Sequence, residues 1–461
     1  MLNYHLKIAL APIRRDVADR PKGTPFNWFS AKERAEQFIS YIKRNFTNEQ
    51  VEFIDTDGAL IFNDETAAAA AARFKAANVD GILLINCNFG NEEAAAELAK
   101  AVGKPLLLWA PLDEEYTPAG IRTTDSQCGL FGIARQLQRY HVPFSHLPSC
   151  RVESAKFKAG FERFIRVACM VKNFTDLRIG QVGPRPAPFY SVIWNEGELM
   201  EKFGLRITAL NFGIIEDRMK RAEAECPEEI AKIEQYILTH YRPDEDTLPQ
   251  IRPMATMVVM YQRLFEEYKL DVLVAECWTA TPLIFNGLAP CTPYGILNDM
   301  GYMIACESDI HCAMTMVLLK SATLGKGKPL FGEFTVRHPE RENVELLWHC
   351  GQFPLSQKAT DCEARLVNQR SWFRAKNGTY TVARLDQESG NYKLLPLLCN
   401  ATDGPATSGT YLWAEFEELD KIESKILEGP YIHHFIEIEG DYTAELQEFC
   451  KYFPQINIDH I

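Results

Sequence analysis

No apolar run in the 461-residue chain approaches the ~18 residues that span a bilayer. That excludes a helical membrane protein. Basic charge is scarce too: 49 Lys and Arg against 62 Asp and Glu leave a formal net charge of −13. A nucleic-acid binder normally presents a basic surface, so that class is set aside. The 13 cysteines contain no C-x-x-C pair, and their odd number and the lack of a signal-peptide-like start argue against a disulfide framework. Contexts such as Val167-Ala168-Cys169-Met170 suit buried, reduced thiols. The expectation is a cytoplasmic protein that acts on a small molecule.

Cofactor signatures are missing as well. The first strand-like run is followed by no G-x-G-x-x-G, and Gly325-Lys326-Gly327-Lys328 lacks both the Walker spacing and the Ser or Thr after Lys. No G-x-S-x-G elbow marks a serine hydrolase. There is no internal repeat, coiled coil or low-complexity tract.

What is present is a full-sized apolar content spread over a length that calls for two or three domains. Residues 6–13, 51–54, 81–86 and 105–110 read as buried strands, alternating with helices over 31–45, 65–78 and 91–102. Ser30 and Glu33 resemble a capping box at the start of the first helix. This alternation predicts an open parallel sheet with covering helices. A second such pattern begins at Leu177 and runs through strands at 177–183, 206–210 and 272–275, with a charged helix at 216–240 interrupted by Cys226-Pro227. Beyond Gly325 the character changes to strand-like runs at 331–337, 344–349, 364–368, 379–385 and 431–438. The predicted fold is α/β: two open parallel-sheet domains, 1–172 and 173–325, followed by a β-rich, antiparallel, barrel-like domain, 326–461.

Carboxylates at the ends of buried strands are where α/β folds place chemistry. Glu276 ends the Val272–Ala275 run, and Glu307 stands where Tyr302–Cys306 passes into a helix. Glu333 is an acid inside the apolar strand Phe331–Thr335, and His349 ends Leu346-Leu347-Trp348. In Tyr431–Ile438 strand alternation puts His434 on the face of Ile432, Ile436 and Ile438, with His433 on the other. Each has a plainer account: Glu307 complements a helix dipole, Glu333 sits on a strand edge, His349 fills a core. Two carboxylates with imidazole suit Mn²⁺ or Mg²⁺ better than zinc.

At these residues the chain resembles the L-fucose isomerase/L-arabinose isomerase superfamily. The resemblance is carried by Cys306-Glu307-Ser308-Asp309-Ile310-His311-Cys312-Ala313-Met314-Thr315-Met316, by Glu333 in a Gly-Glu-Phe strand and by the terminal His433-His434 pair. Gly183-Pro184-Arg185-Pro186 and Asp125-Ser126-Gln127-Cys128-Gly129-Leu130 add to it. It implies a metal-dependent aldose–ketose isomerase working through an enediol, with Glu307 and Glu333 as catalytic carboxylates and Glu307, Glu333 and His434 as metal ligands. Mn²⁺ is the implied ion, other divalent cations being alternatives. His349 falls where arabinose isomerases carry an active-site histidine. Self-association into a trimer or hexamer, with an active site shared between subunits, is also implied.

Arg14 and Arg15 follow the first strand, where fucose isomerases carry a substrate-contacting Arg. Trp28, Trp278 and Trp413 are candidate sugar platforms, although each could equally fill a core. The two arginines admit an anionic sugar, so the substrate is expected to be a pentose, a 6-deoxyhexose or an anionic hexose such as sulfoquinovose. The competing expectation is a non-catalytic sugar-binding or regulatory protein on the same fold.

Overall fold

The computed structural model describes residues 2–15, 31–113, 116, 118–120 and 122–461. The apolar run LKIALAPI forms β1 (Leu6–Ile13), buried along nearly its whole length as a strand covered on both faces must be. There follow α1 (Ala31–Phe46), β2 (Val51–Ile54), α2 (Asp64–Ala76), β3 (Gly81–Asn86), α3 (Glu92–Val102), β4 (Leu106–Trp109), α4 (Ser126–Arg139), β5 (Ser145–His146) and α5 (Ala155–Phe174). The strands pair in parallel in the order β2-β1-β3-β4-β5. Alanine makes α2 and α3 good helices, and it lets them pack closely on Ile82, Leu84, Leu106 and Leu108. Asn63 and Thr66 form a reciprocal capping box on α2. The box expected at Ser30 and Glu33 falls partly outside the described residues. Tyr4–Lys172, with Glu448–Phe453, make up one compact unit.

A second compact unit comprises Asn173–Gln447 and Pro454–Ile461 with the residues before Tyr4. Its α/β part contains β6 (Arg178–Val182), α6 (Glu196–Phe203), β7 (Arg206–Leu210), α7 (Phe212–Glu225), α8 (Pro227–His240), the two-residue β8 (Arg242–Pro243), α9 (Ile251–Tyr268), β9 (Val272–Ala275), α10 (Thr281–Ile284), α11 (Cys291–Met300), β10 (Ile304–Cys306) and α12 (Ile310–Ala322). The sheet β10-β9-β6-β7 is again parallel. Cys226-Pro227 splits the expected helix into α7 and α8, since Pro lacks the donor a helix interior needs.

The β-rich part contains β11 (Leu330–Arg337), β12 (Val344–His349), β13 (Arg365–Val367), β14 (Arg370–Arg374), β15 (Gly378–Glu388), β16 (Asn391–Thr402), β17 (Thr410–Glu415), α13 (Leu419–Glu428), β18 (His434–Glu439), α14 (Thr443–Cys450) and β19 (Ile456–Ile458). Strands β16-β15-β18-β11-β12-β17 are joined by antiparallel ladders. A further β16–β17 pairing closes them into a barrel. Two parallel sheets followed by an antiparallel barrel is the architecture the sequence pattern predicts.

The hinge of the second unit is α12. Every one of its residues is buried, as befits a mostly apolar helix packed on two sides. It packs on β9 and β10 of the parallel sheet and on β15 and β18 of the barrel. The N-terminal end of α12 therefore brings the carboxyl ends of β9 and β10 against barrel strands. Among the described residues no helix is long and apolar enough to cross a membrane, and all 13 cysteines are free thiols.

Candidate active site

β10 ends at Cys306, and the chain turns into α12 through Glu307 and Ser308, at φ 58° and 57°. Two consecutive non-glycine residues in the left-handed region cost about 1–3 kcal/mol each. The turn is held by Ser308 N–H on Ala275 O (3.2 Å) and by Ser308 Oγ on Pro184 O (3.3 Å). Asp309 then caps α12, its Oδ1 accepting Cys312 N–H at 3.0 Å. The strained turn aims Glu307 away from its own sheet and at β18. There Glu307 Oε2 lies 2.9 Å from His434 Nε2. Glu333 is the register partner of His434 across the β11–β18 ladder, and its Oε2 lies 3.7 Å from both His434 Nε2 and His433 Nε2. His349, at the end of β12, completes a group in which ligand atoms of Glu307, His349 and His434 lie within 4.8 Å of one another.

His434 is fully buried, whereas the His433 side chain is 42% exposed. Strand alternation predicts this choice of inward imidazole. Phe331 packs edge-on against both His434 and His349, with ring centroids 4.9 Å apart in each case. Phe189 stacks on His433 at 5.6 Å. Nothing in the sequence reading singles out Phe189. Its only signal is its place three residues after Gly183-Pro184-Arg185-Pro186.

The charges of these groups diverge. Burial raises Glu307, but His434, at ion-pair distance, outweighs it and holds the carboxyl below its ordinary value. Burial pushes Glu333 up to about 7, with the neighbouring Glu307 adding to the rise and His434 opposing it. Burial would lower His434, yet the carboxylates of Asp309 and Glu307 bring it up to about 9. His349 is pushed down to about 4 by burial, against the pull of Glu307. Asp309 is fully buried, and the Arg384 guanidinium and His434 hold it well below the carboxylate range.

The donor set fits a divalent cation. His434 Nε2 lies off the line of a hydrogen bond to Glu307 and has no aligned partner; His349 Nδ1 has none either. Buried polar atoms are rarely left so without a ligand to receive them. Two carboxylates and imidazole suit a hard or borderline ion such as Mn²⁺.

The other sequence candidates are not members of this cluster. Trp413 is 3% exposed and packs with Val344, Leu346 and Tyr411, its indole N–H on Pro405 O. The structure gives it the core role and does not bring it to the site. Trp278 is 46% exposed on the loop after β9. Arg14 and Arg15 follow β1 in the other unit, their guanidinium groups over Phe62 and Phe89. Trp28 lies outside the described residues.

Glu276 holds its own loop. Its Oε1 accepts from Trp278 N–H, Thr279 N–H and Thr279 Oγ, and its Oε2 from Thr281 N–H. Burial opposes ionisation, but these bonds win and keep the carboxyl below its ordinary value. A lowered folded-state value means stability present above the unfolded value of about 4.5, lost as pH falls through the folded one. Glu276→Gln turns an amide NH₂ on these donors. It is expected to cost about 1–3 kcal/mol at pH 7 and progressively less below pH 4.5, as read by denaturant titration at both pH values. An equal cost at pH 7 and pH 3 would contradict this account.

Known proteins bear on these positions. A profile of the fucose/sulfoquinovose isomerase N-terminal domain matches residues 24–175. Over 390 residues the chain is 26% identical to a sulfoquinovose isomerase of Priestia aryabhattai, covering 82% of this chain and 84% of that protein. A sulfoquinovose isomerase of Alkalicoccus urumqiensis is 26% identical over 398 residues (82% and 86%), and one of Clostridium sp. (strain MSTE9) is 24% identical over 382 (79% and 83%). A solute-binding protein of Burkholderia multivorans is matched at 12% identity over 70% of this chain and 96% of that one. Its TM-score of 0.16 carries no argument. With the carboxylate–histidine cluster, the sequence relatives support an isomerase-like function. The chain is thus similar to fucose/sulfoquinovose isomerases, in the profile over residues 24–175 and in sequence over 82% of its length.

Proposed function

We propose that this chain is a divalent-metal-dependent aldose–ketose isomerase whose substrate is an anionic hexose such as sulfoquinovose. The observation that carries the reading is the convergence of Glu307, Glu333 and a His434 Nε2 that has no aligned hydrogen bond, at one end of α12. Glu307, Glu333 and His434 would hold the ion, with His349 beside them. A bound divalent cation supplies Lewis acidity toward sugar oxygens.

The protein's own groups account for the proton movement. An aldose becomes a ketose when one proton passes between C2 and C1 and another between O2 and O1. The group that carries a proton should be poised near neutrality; burial pushes Glu333 up to about 7 in the metal-free protein, and because a bound cation would lower it, a proton-carrying Glu333 has to be the more loosely held ligand. Glu307, held ionised by His434, suits a permanent ligand. Two carboxyl groups whose environments drive them apart are the usual mark of divided roles. Phe331 packs on the two buried imidazoles, His434 and His349, and Trp278 is a candidate sugar platform.

The anionic end of the substrate is inferred from relatives named as sulfoquinovose isomerases. Arg14 and Arg15, supplied by a neighbouring subunit in the shared-site reading, are its proposed contacts, since guanidinium pairs well with sulfonate. The reading extends to self-association as a trimer or hexamer.

Protein dialysed against EDTA should lose isomerisation of sulfoquinovose and regain it with Mn²⁺. A panel of neutral pentoses and 6-deoxyhexoses should show lower kcat/KM. Activity that survives complete metal removal would sink the mechanism, and a preference for neutral sugars would sink the substrate.

A further inference from the structure

We propose that Asp309, clamped by Arg384, is a positioning residue that fixes the proton of His434 on Nδ1 and so reserves Nε2 for the metal. The inference rests on the metal-site reading above and goes beyond its ligands to what orients them.

An imidazole ligates through the lone pair of one nitrogen, and what the other nitrogen bonds decides which one is free. His434 Nδ1 lies 3.0 Å from Asp309 Oδ2. Each oxygen of the carboxylate already takes an obligate donor. Its Oδ1 takes Cys312 N–H at 3.0 Å and its Oδ2 takes Arg384 Nη1–H at 2.9 Å. A carboxylate so engaged can only accept from the imidazole, so the proton belongs on Nδ1.

The clamp has a reason to be rigid. Arg384 Nη1 also donates to His434 O at 3.0 Å, so one guanidinium grips both the carboxylate and the backbone of the histidine it orients. Arg384 Nε is held by Asp386 Oδ2 at 2.6 Å, and Asp386 Oδ1 lies 3.3 Å from His311 Nδ1. The network ties the start of α12 to β15 and β18. None of its five side chains is more than 7% exposed. A purely structural ion cluster would serve as well without pointing at a ligand. What marks this one is that its last hydrogen bond ends on His434, whose other nitrogen faces Glu307 and Glu333.

Asp309→Leu separates the two accounts. It removes the acceptor and keeps much of the shape, whereas an amide could turn its oxygen onto Arg384 and His434 and preserve the tautomer. With no acceptor at Nδ1 the proton is drawn to Nε2, which lies 2.9 Å from Glu307 Oε2, and there it blocks ligation. Binding of Mn²⁺, read by the electron paramagnetic resonance signal of the free ion, should weaken about 10–100-fold. Circular dichroism is to confirm the fold. Affinity within about twofold of the wild type in folded Asp309→Leu overturns the proposal, as that change is within the context-dependence of such effects. Should the variant not fold, wild-type protein with ¹⁵N-histidine and ¹¹³Cd²⁺ decides. Coupling of cadmium to Nε2 of the signal lost in His434→Gln, with a proton on Nδ1, supports the proposal; coupling to Nδ1 overturns it. A wild type that binds neither ion removes the metal-site reading itself, which the variant comparison does not.

Discussion

Glu333→Gln is expected to lower isomerase turnover by about 10²–10⁴-fold, the usual contribution of a positioned acid–base group, while leaving the protein more stable. The two effects share one cause. Burial among apolar strands raises the Glu333 carboxyl from 4.5 to about 7. A raised carboxyl favours the protonated folded state, so in the metal-free protein ionisation opposes folding increasingly from pH 4.5 to about 7 and constantly above. The amide keeps the shape and removes the penalty, a gain of up to about 3 kcal/mol at pH 8, with some lost to solvent screening. At pH 4 the gain should vanish. Denaturant titrations of metal-free wild type and variant at pH 4 and 8, beside a turnover assay with Mn²⁺, test both halves. Full turnover in the variant would show that the proton moves through another group. Such an exchange of stability for activity is what a group kept for chemistry should show.

What could be read from the sequence follows from which physical signals are local. Buried parallel strands announce themselves as continuous apolar runs, so β1, β3 and β9 are legible. Alternation along Tyr431–Ile438 separates His434 from His433 because a strand has period two. The barrel is only partly legible. β16 contains Pro396, which argues against a strand. Its ladder with β15 runs unbroken past that residue, while the other edge pairs only at Tyr392–Leu394 and Asn400–Thr402. The missing N–H falls in the gap between, a fact that belongs to strand order and not to local sequence. Asp309 is hidden differently. It reads as an ordinary helix cap, which it is, and its second oxygen meets partners 75 and 125 residues away. Arg384 and Asp386 leave one usable trace, two opposite charges at i, i+2 on the strand face that also carries Tyr380 and Val382.

That pair makes the other large expected effect one of stability. Arg384→Met should cost about 3–5 kcal/mol, because removing one member of a buried ion cluster leaves its partners charged in a dry interior. Arg384 is fully buried, and Asp309 and Asp386 are 1% and 7% exposed, so water cannot replace the guanidinium. The size of the loss does not measure the worth of the cluster, since apolar replacement of a whole buried cluster is often neutral. A double variant exposes the difference: Asp386→Asn added to Arg384→Met should recover part of the loss, giving a strongly non-additive cycle. Asp309 is the one carboxylate that cannot be neutralised freely, because His434 depends on it. The fold could dispense with the cluster, whereas the site could not. Urea unfolding of the single and double variants reads the cycle, and strict additivity would mean that the three groups do not act as one network.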